Sequence, residues 1–348
     1  MWLLRVPEVF SGMVPDLFDA LGVRLLRRVG REFHLVSADG APVGRDPVLA
    51  AMVPWRMRID HAWPCVPERV DGFVEKAARA MADRFGDKPL QTVIAGPLDP
   101  SDPSRRGRRL ASNLRGRALQ LFPPACASLR DPLLQDPVLP SLFVLVGDAG
   151  LYCGMCSPRD ANGFHAGGIR HFPRSGPGVV SRAGGKIAGA LGQLALWGRV
   201  PVAGTHWLDL GASPGGISAE LLARGYRVTA VDRAPLDPAL RSRSGLREVC
   251  ADAGRFDPRG ERYGAIVCDI NGDPLVSFGH VARMASALEA GGIAVFTLKL
   301  TGGESLASLR VLAGEVIRRL PGTGLSLSAA DHLGSNRREL TLFLEKEG

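Results

Sequence analysis

Four residues of this 348-residue chain could together move a proton: Lys186, Asp269, Lys299 and Glu339. A lysine has a reference pKa of about 10.4, which nearby cations lower and nearby carboxylates raise. A lysine set among a second lysine and two acids can be tuned as a base or as a stabiliser of a developing oxyanion. A sugar hydroxyl needs such a partner, because it is a poor nucleophile until deprotonated or oriented. Lys299 is the candidate base, with Lys186, Asp269 and Glu339 completing the candidate catalytic set. Each lysine alone reads more readily as a surface charge, so the reading rests on all four converging.

A second constellation is the segment Trp207–Gly216, WLDLGASPGG. Glycines let a backbone approach a ligand, and a helix N-terminus beyond them offers free N–H groups and partial positive charge. Gly211, Gly215 and Gly216 give the spacing GxxxGG, with Ser213 and Pro214 inside it. The dinucleotide fingerprint is GxGxxG, so this turn departs from it and points to S-adenosylmethionine. Asp232 closes the next strand, where an acid can accept from ribose hydroxyls. Asp252 follows the third strand and could bond an adenine amino group. A purely structural turn and a solvated loop acid remain the plain alternatives.

These residues need a scaffold that gathers them. From Ser181 onward strands and helices alternate, which predicts a doubly wound, mostly parallel sheet. Strands are predicted at Thr205–Leu210, Arg227–Val231, Leu246–Ala251, Tyr263–Cys268, Gly292–Leu298, Leu325–Ala330 and Glu339–Glu345. Helices are predicted at Lys186–Leu196, after the Gly-rich turn to Arg224, at Val276–Leu288 and at Glu304–Arg319. The last two strands follow closely, so one should run antiparallel. Lys186 opens a helix, Asp269 and Lys299 end the fourth and fifth strands, and Glu339 opens the last. Asp269 and Lys299 should then face each other across the carboxyl edge.

The first half reads as two α+β units. Short strands at Met1–Val6, Val23–Arg28 and Glu32–Val36 surround a helix at Pro15–Leu21. Arg56–Ala62 alternates as a strand, Val66–Phe85 has helical spacing, and Leu90–Ala95 is a strand. Ser141–Gly147 and Leu151–Met155 read as a hairpin. The segment 157–180 is rich in Gly, Pro and Arg and marks a boundary. The expected division is 1–55, 56–165, a linker over 166–180, and 181–348.

A net charge of +8 favours a polyanionic partner, nucleic acid before membrane. Arg105–Arg117 carries six arginines and no acid; with Arg159, Arg170, His171 and Arg174 it could contact phosphates. A solvated basic face is the competing reading. Aromatic residues are only 6%, too few for a base-stacking platform. No apolar run approaches the ~18 residues of a membrane span, and the start lacks a leader pattern, so a cytoplasmic protein is expected. The six cysteines form no disulfide framework. Cys153 and Cys156 make a lone CxxC, read as strand thiols, and no metal site is expected.

Taken together, SRAGGKIAGAL (181–191), DLGASPGG, VDRAP (231–235), ADA (251–253), VCD (267–269), LKL (298–300) and REL (338–340) resemble the FtsJ-like RNA 2′-O-ribose methyltransferases. Within these, the chain resembles the bacterial large-subunit ribosomal RNA methyltransferase M family. That resemblance implies a Rossmann-like class I methyltransferase domain, with a mostly parallel seven-stranded sheet. It implies ferredoxin-like and THUMP-like RNA-binding domains before it. The implied activity is S-adenosyl-L-methionine-dependent methylation of a cytidine 2′-hydroxyl in 23S ribosomal RNA, without an obligate protein partner. Lys299 would accept the proton within the tetrad Lys186, Asp269, Lys299 and Glu339. Ser181, Ser213, Pro214, Gly215 and Gly216 would hold the cofactor, with Asp232, Asp252 and Asp269. Ile217 stands where the family usually has an aromatic residue. A base- or protein-directed methyltransferase and a non-catalytic RNA-binding or assembly factor remain as alternatives.

Overall fold

A computed structural model describes residues 1–42, 44, 46–124, 126–168, 180–300 and 305–348. The chain divides into two units. One comprises Met1–Arg45, Met52–Arg170 and Ala195–Gly198; the other comprises Asp46–Ala51, His171–Leu194 and Arg199–Gly348.

In chain order the first half forms β1 (Trp2–Arg5), α1 (Val14–Leu21), β2 (Arg24–Arg28), β3 (Phe33–Ser37), α2 (Pro47–Met52) and β4 (Trp55–Arg58). There follow β5 (His61–Trp63), α3 (Phe73–Phe85), β6 (Val93–Pro97), α4 (Arg106–Leu121), β7 (Ser141–Gly147), β8 (Gly150–Cys156) and α5 (Pro158–Ala161). Two four-stranded sheets result, ordered β2-β3-β1-β4 and β5-β8-β7-β6. They share a core in which Leu3, Phe33, Trp55 and Met57 meet Ile94, Phe143, Leu145 and Tyr152. The opposite face of the second sheet buries Leu142, Val144 and Val146 with Ala78, Met81 and Leu114 of α3 and α4.

The single strand predicted over Arg56–Ala62 is two strands, β4 and β5, which join different sheets. Asp60 breaks the alternation, since its carboxylate accepts from the Met155 N–H at 2.8 Å. The predicted helix over Val66–Phe85 begins only at Phe73, because Gly72 at φ +63° interrupts the chain before it. The short helix α2 has too little periodicity to be read beforehand.

The second unit carries most of α6 (Gly184–Leu196), with β9 (His206–Leu210), α7 (Gly216–Ala223), β10 (Arg227–Asp232), β11 (Leu246–Cys250), β12 (Tyr263–Cys268) and α8 (Pro274–Met284). β13 (Leu288–Lys299), α9 (Leu306–Arg318), β14 (Leu325–Asp331) and β15 (Glu339–Lys346) complete it. The seven-stranded sheet is ordered β11-β10-β9-β12-β13-β15-β14. Neighbours are parallel except at β15, which runs antiparallel to both β13 and β14. Strand order reverses between β9 and β12, so the crevice at their carboxyl ends is the switch point where such sheets bind ligands.

Local chemistry starts the helices. Asp273 caps α8, accepting from the Leu275 and Val276 N–H groups, with Pro274 at the first helical position. Ser305 and Ser308 form a reciprocal capping box at α9. The sheet is filled by Trp207, Tyr263, Phe296 and Phe343, each at most 1% exposed. Phe296 on β13 meets Phe278 of α8 edge-on at 5.5 Å between ring centres. Truncating a buried phenylalanine loses its burial and leaves a cavity. F296A should therefore lower the stability of this unit by about 3–5 kcal/mol, read by urea denaturation; a loss below 1 kcal/mol would show the site can collapse around the change.

Candidate active site

The four chemistry-bearing residues arrive from four elements. Lys186 lies in the first turn of α6, and Asp269 follows β12. Lys299 is the last residue of β13, and Glu339 the first of β15. The antiparallel register sets Lys299 directly opposite Glu339. The parallel pairing of β12 with β13 brings Asp269 alongside.

The structure brings all four into one ring. Lys186 Nζ donates to both carboxylate oxygens of Asp269 at 2.9 Å. It also forms an ion pair with Glu339 Oε1 at 2.8 Å. Lys299 Nζ donates to Asp269 Oδ1 at 2.6 Å and to Glu339 Oε2 at 2.8 Å. Each lysine thus bridges both acids, and the ring is formally neutral. The side chains of Asp269 and Glu339 are 10% and 7% exposed, whereas Lys186 and Lys299 keep 20% and 16%. Burial alone would lower the Lys299 pKa, but Asp269 and Glu339 outweigh it and hold it above the ordinary lysine value. Burial would raise Glu339, yet its bonds to Lys186 and Lys299 hold it below the usual carboxylate range. At rest Lys299 is an ammonium.

The Gly-rich turn occupies the switch point between β9 and α7. Gly211 and Gly215 have φ of +82° and +112°, which L side chains rarely adopt. A Cβ at Gly216 would stand 2.0 Å from Ser181 Oγ, so Ser181 is packed against the turn. Ser213 donates its hydroxyl to Pro235 O at 3.0 Å, and the Ser213–Pro214 peptide is cis. Asp232 accepts from the N–H groups of Ser213 and Ala234 at 3.0 and 2.9 Å, pinning the turn to the end of β10. Asp252 accepts from the Gly254 N–H at 2.8 Å and has Arg233 3.9 Å away. Its side chain is 45% exposed and can take a further donor. β10 and β11 are neighbours, so these two acids stand along one stretch of the edge.

Two residues escaped the sequence reading. Asp209 on β9 is fully buried and accepts from the Ser218 hydroxyl at 2.7 Å. Its signal was the inward alternation with Trp207 in WLDLG. Asn336, also buried, donates to Glu339 O and Thr341 Oγ1 at 3.2 and 3.1 Å, holding the chain where Glu339 enters β15. Nothing in the sequence around it marks that role.

The basic stretch Arg105–Arg117 lies mainly in helix α4, and protein contacts occupy most of its guanidinium groups. Arg106 pairs with Glu68 and Arg117 with Glu75. Arg108 donates to Pro100 O, and Arg115 to Val93 O and Arg130 O. Among the described residues Arg105 and Arg109 carry no such tie. Arg159 donates to Leu196 O at 3.3 Å, while Arg170, His171 and Arg174 lie outside the described residues. Burial pushes the thiols of Cys153 and Cys156 on β8 up to about 12. Among the described residues no helix is long and apolar enough to cross a membrane.

Residues 179–289 match the FtsJ-like methyltransferase family. This stretch includes Lys186 and Asp269 and ends before Lys299 and Glu339. The chain is 34% identical over 178 residues to ribosomal RNA large subunit methyltransferase M of Halorhodospira halophila, covering 50% of this chain and 49% of that protein. It is 28% identical over 309 residues to the protein of the same name from Thauera aminoaromatica, covering 86% and 79%. The Methylococcus capsulatus protein of that name is 34% identical over 146 residues, covering 41% and 40%. The match therefore spans about half the length of the first of these relatives.

The ring has a pH signature. Glu339 is depressed in the fold, so its contribution is present above the ordinary glutamate pKa and is lost as pH falls through the folded value. Lys299 is raised, so its contribution is full below the ordinary lysine pKa and is lost as pH rises through the folded value. E339Q breaks a largely buried ion pair and should cost about 3 kcal/mol near neutral pH. That deficit should shrink in acid, where wild-type Glu339 also protonates. Urea denaturation across pH checks both points, and a deficit constant into acid would contradict the assignment.

Proposed function

We propose, from the match of residues 179–289 to the FtsJ-like methyltransferase family, that this protein is an S-adenosylmethionine-dependent 2′-O-ribose methyltransferase of large-subunit ribosomal RNA. The observation that carries the reading is the closed ring of Lys186, Asp269, Lys299 and Glu339 beside the switch-point turn. Such a ring serves a reaction in which a hydroxyl must be oriented and relieved of its proton.

The donor set around the turn suits an adenosine-containing cofactor. Asp232 would accept from the ribose diol and Asp252 from the adenine amine. Gly211, Ser213, Pro214, Gly215 and Gly216 would shape the backbone cradle, with Ser181 supporting it and Asp269 bordering it. When bound, the cofactor supplies a methyl group already activated on a sulfonium. The chain's own residues do the rest. Asp269 and Glu339 fix the Lys299 ammonium, and Lys186 keeps the ring neutral. Lys299 yields its proton to solvent more readily when a further cation stands beside the turn, because like charge lowers a lysine pKa. It then takes up the hydroxyl proton, and Lys186 steadies the developing oxyanion.

We read the N-terminal unit as the RNA-presenting part. Its first sheet has the order β2-β3-β1-β4, which suits the ferredoxin-like domain read over 1–55, with β4 carrying that sheet on to Arg58 and α2 grouping with the other unit. Residues 56–165 would be the THUMP-like part, 166–180 the linker and 181–348 the catalytic domain. The finer target we propose is a cytidine of 23S ribosomal RNA, which implies a cytoplasmic enzyme.

Purified protein should transfer labelled methyl from S-adenosylmethionine to ribosomal RNA, and digestion of the product should yield a 2′-O-methyl nucleoside. K299A should reduce transfer by a factor of about 10² or more while cofactor binding survives. Full activity in K299A, or a methylated base in the digest, would overturn this reading.

A further inference from the structure

Helix α7 begins at Gly216, and the residue before it, Gly215, has no side chain to cap it. The cap comes instead from within the sheet. Asp209, on β9, receives the Ser218 hydroxyl at 2.7 Å on Oδ2. It is completely buried, and its other oxygen, Oδ1, has no hydrogen-bond partner. The residues opposite it on β10 and β12 are Ala230 and Val267, which offer it no donor.

The charges that act most strongly on Asp209 are of one sign. Asp232 at the end of β10 and Asp269 after β12 both act on it, and among the described residues no cation pairs with it. Lys186 and Lys299 are spent on Asp269 and Glu339. A buried, half-satisfied carboxyl facing two carboxylates resists ionisation.

We propose that Asp209 is a proton-linked positioning residue: as a neutral carboxyl it holds the start of α7 in the free protein, and it loses its proton to solvent when a cationic ligand occupies the turn. The inference rests on the proposed cofactor. Burial first, then the two neighbouring acids, push the Asp209 carboxyl up to about 7, against the pull of the Ser218 hydrogen bond. The sulfonium leaves the ligand with one net positive charge beyond its ammonium–carboxylate pair, and that charge near the turn favours the carboxylate. The balance is simple: one carboxyl becomes a carboxylate, one proton enters solvent, and the added cation is offset. The carboxylate also accepts from Ser218 more strongly, so ligand binding tightens the cap of the helix whose N-terminus borders the ligand.

Calorimetry in buffers of differing ionisation heat counts protons released per ligand bound. The probes are S-adenosylmethionine and S-adenosylhomocysteine, which differ by the sulfonium charge. The wild-type protein should release up to about one proton near pH 6 and progressively less above about pH 8. S-adenosylmethionine should release more than S-adenosylhomocysteine. D209N should bind with that release removed. S218A deletes a bond that favours the carboxylate, so its release should extend to higher pH, which keeps the test open should D209N not fold. Equal proton counts in wild type and D209N, or an unmoved window in S218A, would overturn the inference while leaving the cofactor reading intact. Failure of folded wild-type protein to bind either probe would overturn both.

Discussion

Two lysines and two carboxylates at the carboxyl edge of a sheet cannot be left singly in a low-dielectric crevice. Each would cost several kcal/mol if buried without a partner. Closed into a ring, with both lysines touching both acids, they neutralise one another at separations of 2.6–2.9 Å. The closure demands that a helix start, the ends of two parallel strands and the beginning of an antiparallel strand meet within a few ångströms. The reversal of strand direction at β15 satisfies this, because it alone brings the first residue of a strand beside the last residue of β13. The ring also decides the protonation state at rest, since Lys299 is held as an ammonium by the acids that orient it.

The turn beside the ring obeys a related constraint. Its glycines are required by the protein's own packing, since a side chain at Gly211 would meet Ile270 and one at Gly215 would meet Leu240. Asp232 secures the turn from β10, and Asp209 secures the helix after it from β9. Two carboxylates, Asp232 and Asp269, thus stand at neighbouring strand ends around a helix N-terminus, with the buried carboxyl of Asp209 behind them. Only Asp269 is compensated by lysines. That imbalance suits a ligand bearing positive charge.

Much of the second unit was legible beforehand. The alternation of apolar strands with helical spacing from Ser181 onward carries its order, and its seven strands lie within a few residues of where periodicity sets them. The tetrad was legible because each member sits at a strand end or helix start, where topology fixes position almost without regard to side-chain packing. Asp209 was not, because its role depends on α7 lacking a capping side chain, which only three-dimensional placement reveals. Asn336 acts through backbone and hydroxyl contacts that have no sequence pattern. In the first half, Arg56–Ala62 alternates cleanly and still divides between two sheets, since Asp60 spends its carboxylate on a neighbouring backbone. The arginines of 105–117 read as a free basic stretch, but most are tied to acids or carbonyls of their own unit.

If Lys299 is the proposed base, it must be neutral to act, and the carboxylates of the ring set the pH at which it becomes so. Single-turnover methyl transfer to ribosomal RNA, measured across pH in wild type and E339Q, tests this most directly. The wild-type rate should climb with pH through the alkaline range. Removing one carboxylate lowers the lysine's proton affinity, so the E339Q rise should move to lower pH even as its maximal rate falls. Coincident pH profiles in the two proteins would contradict the account.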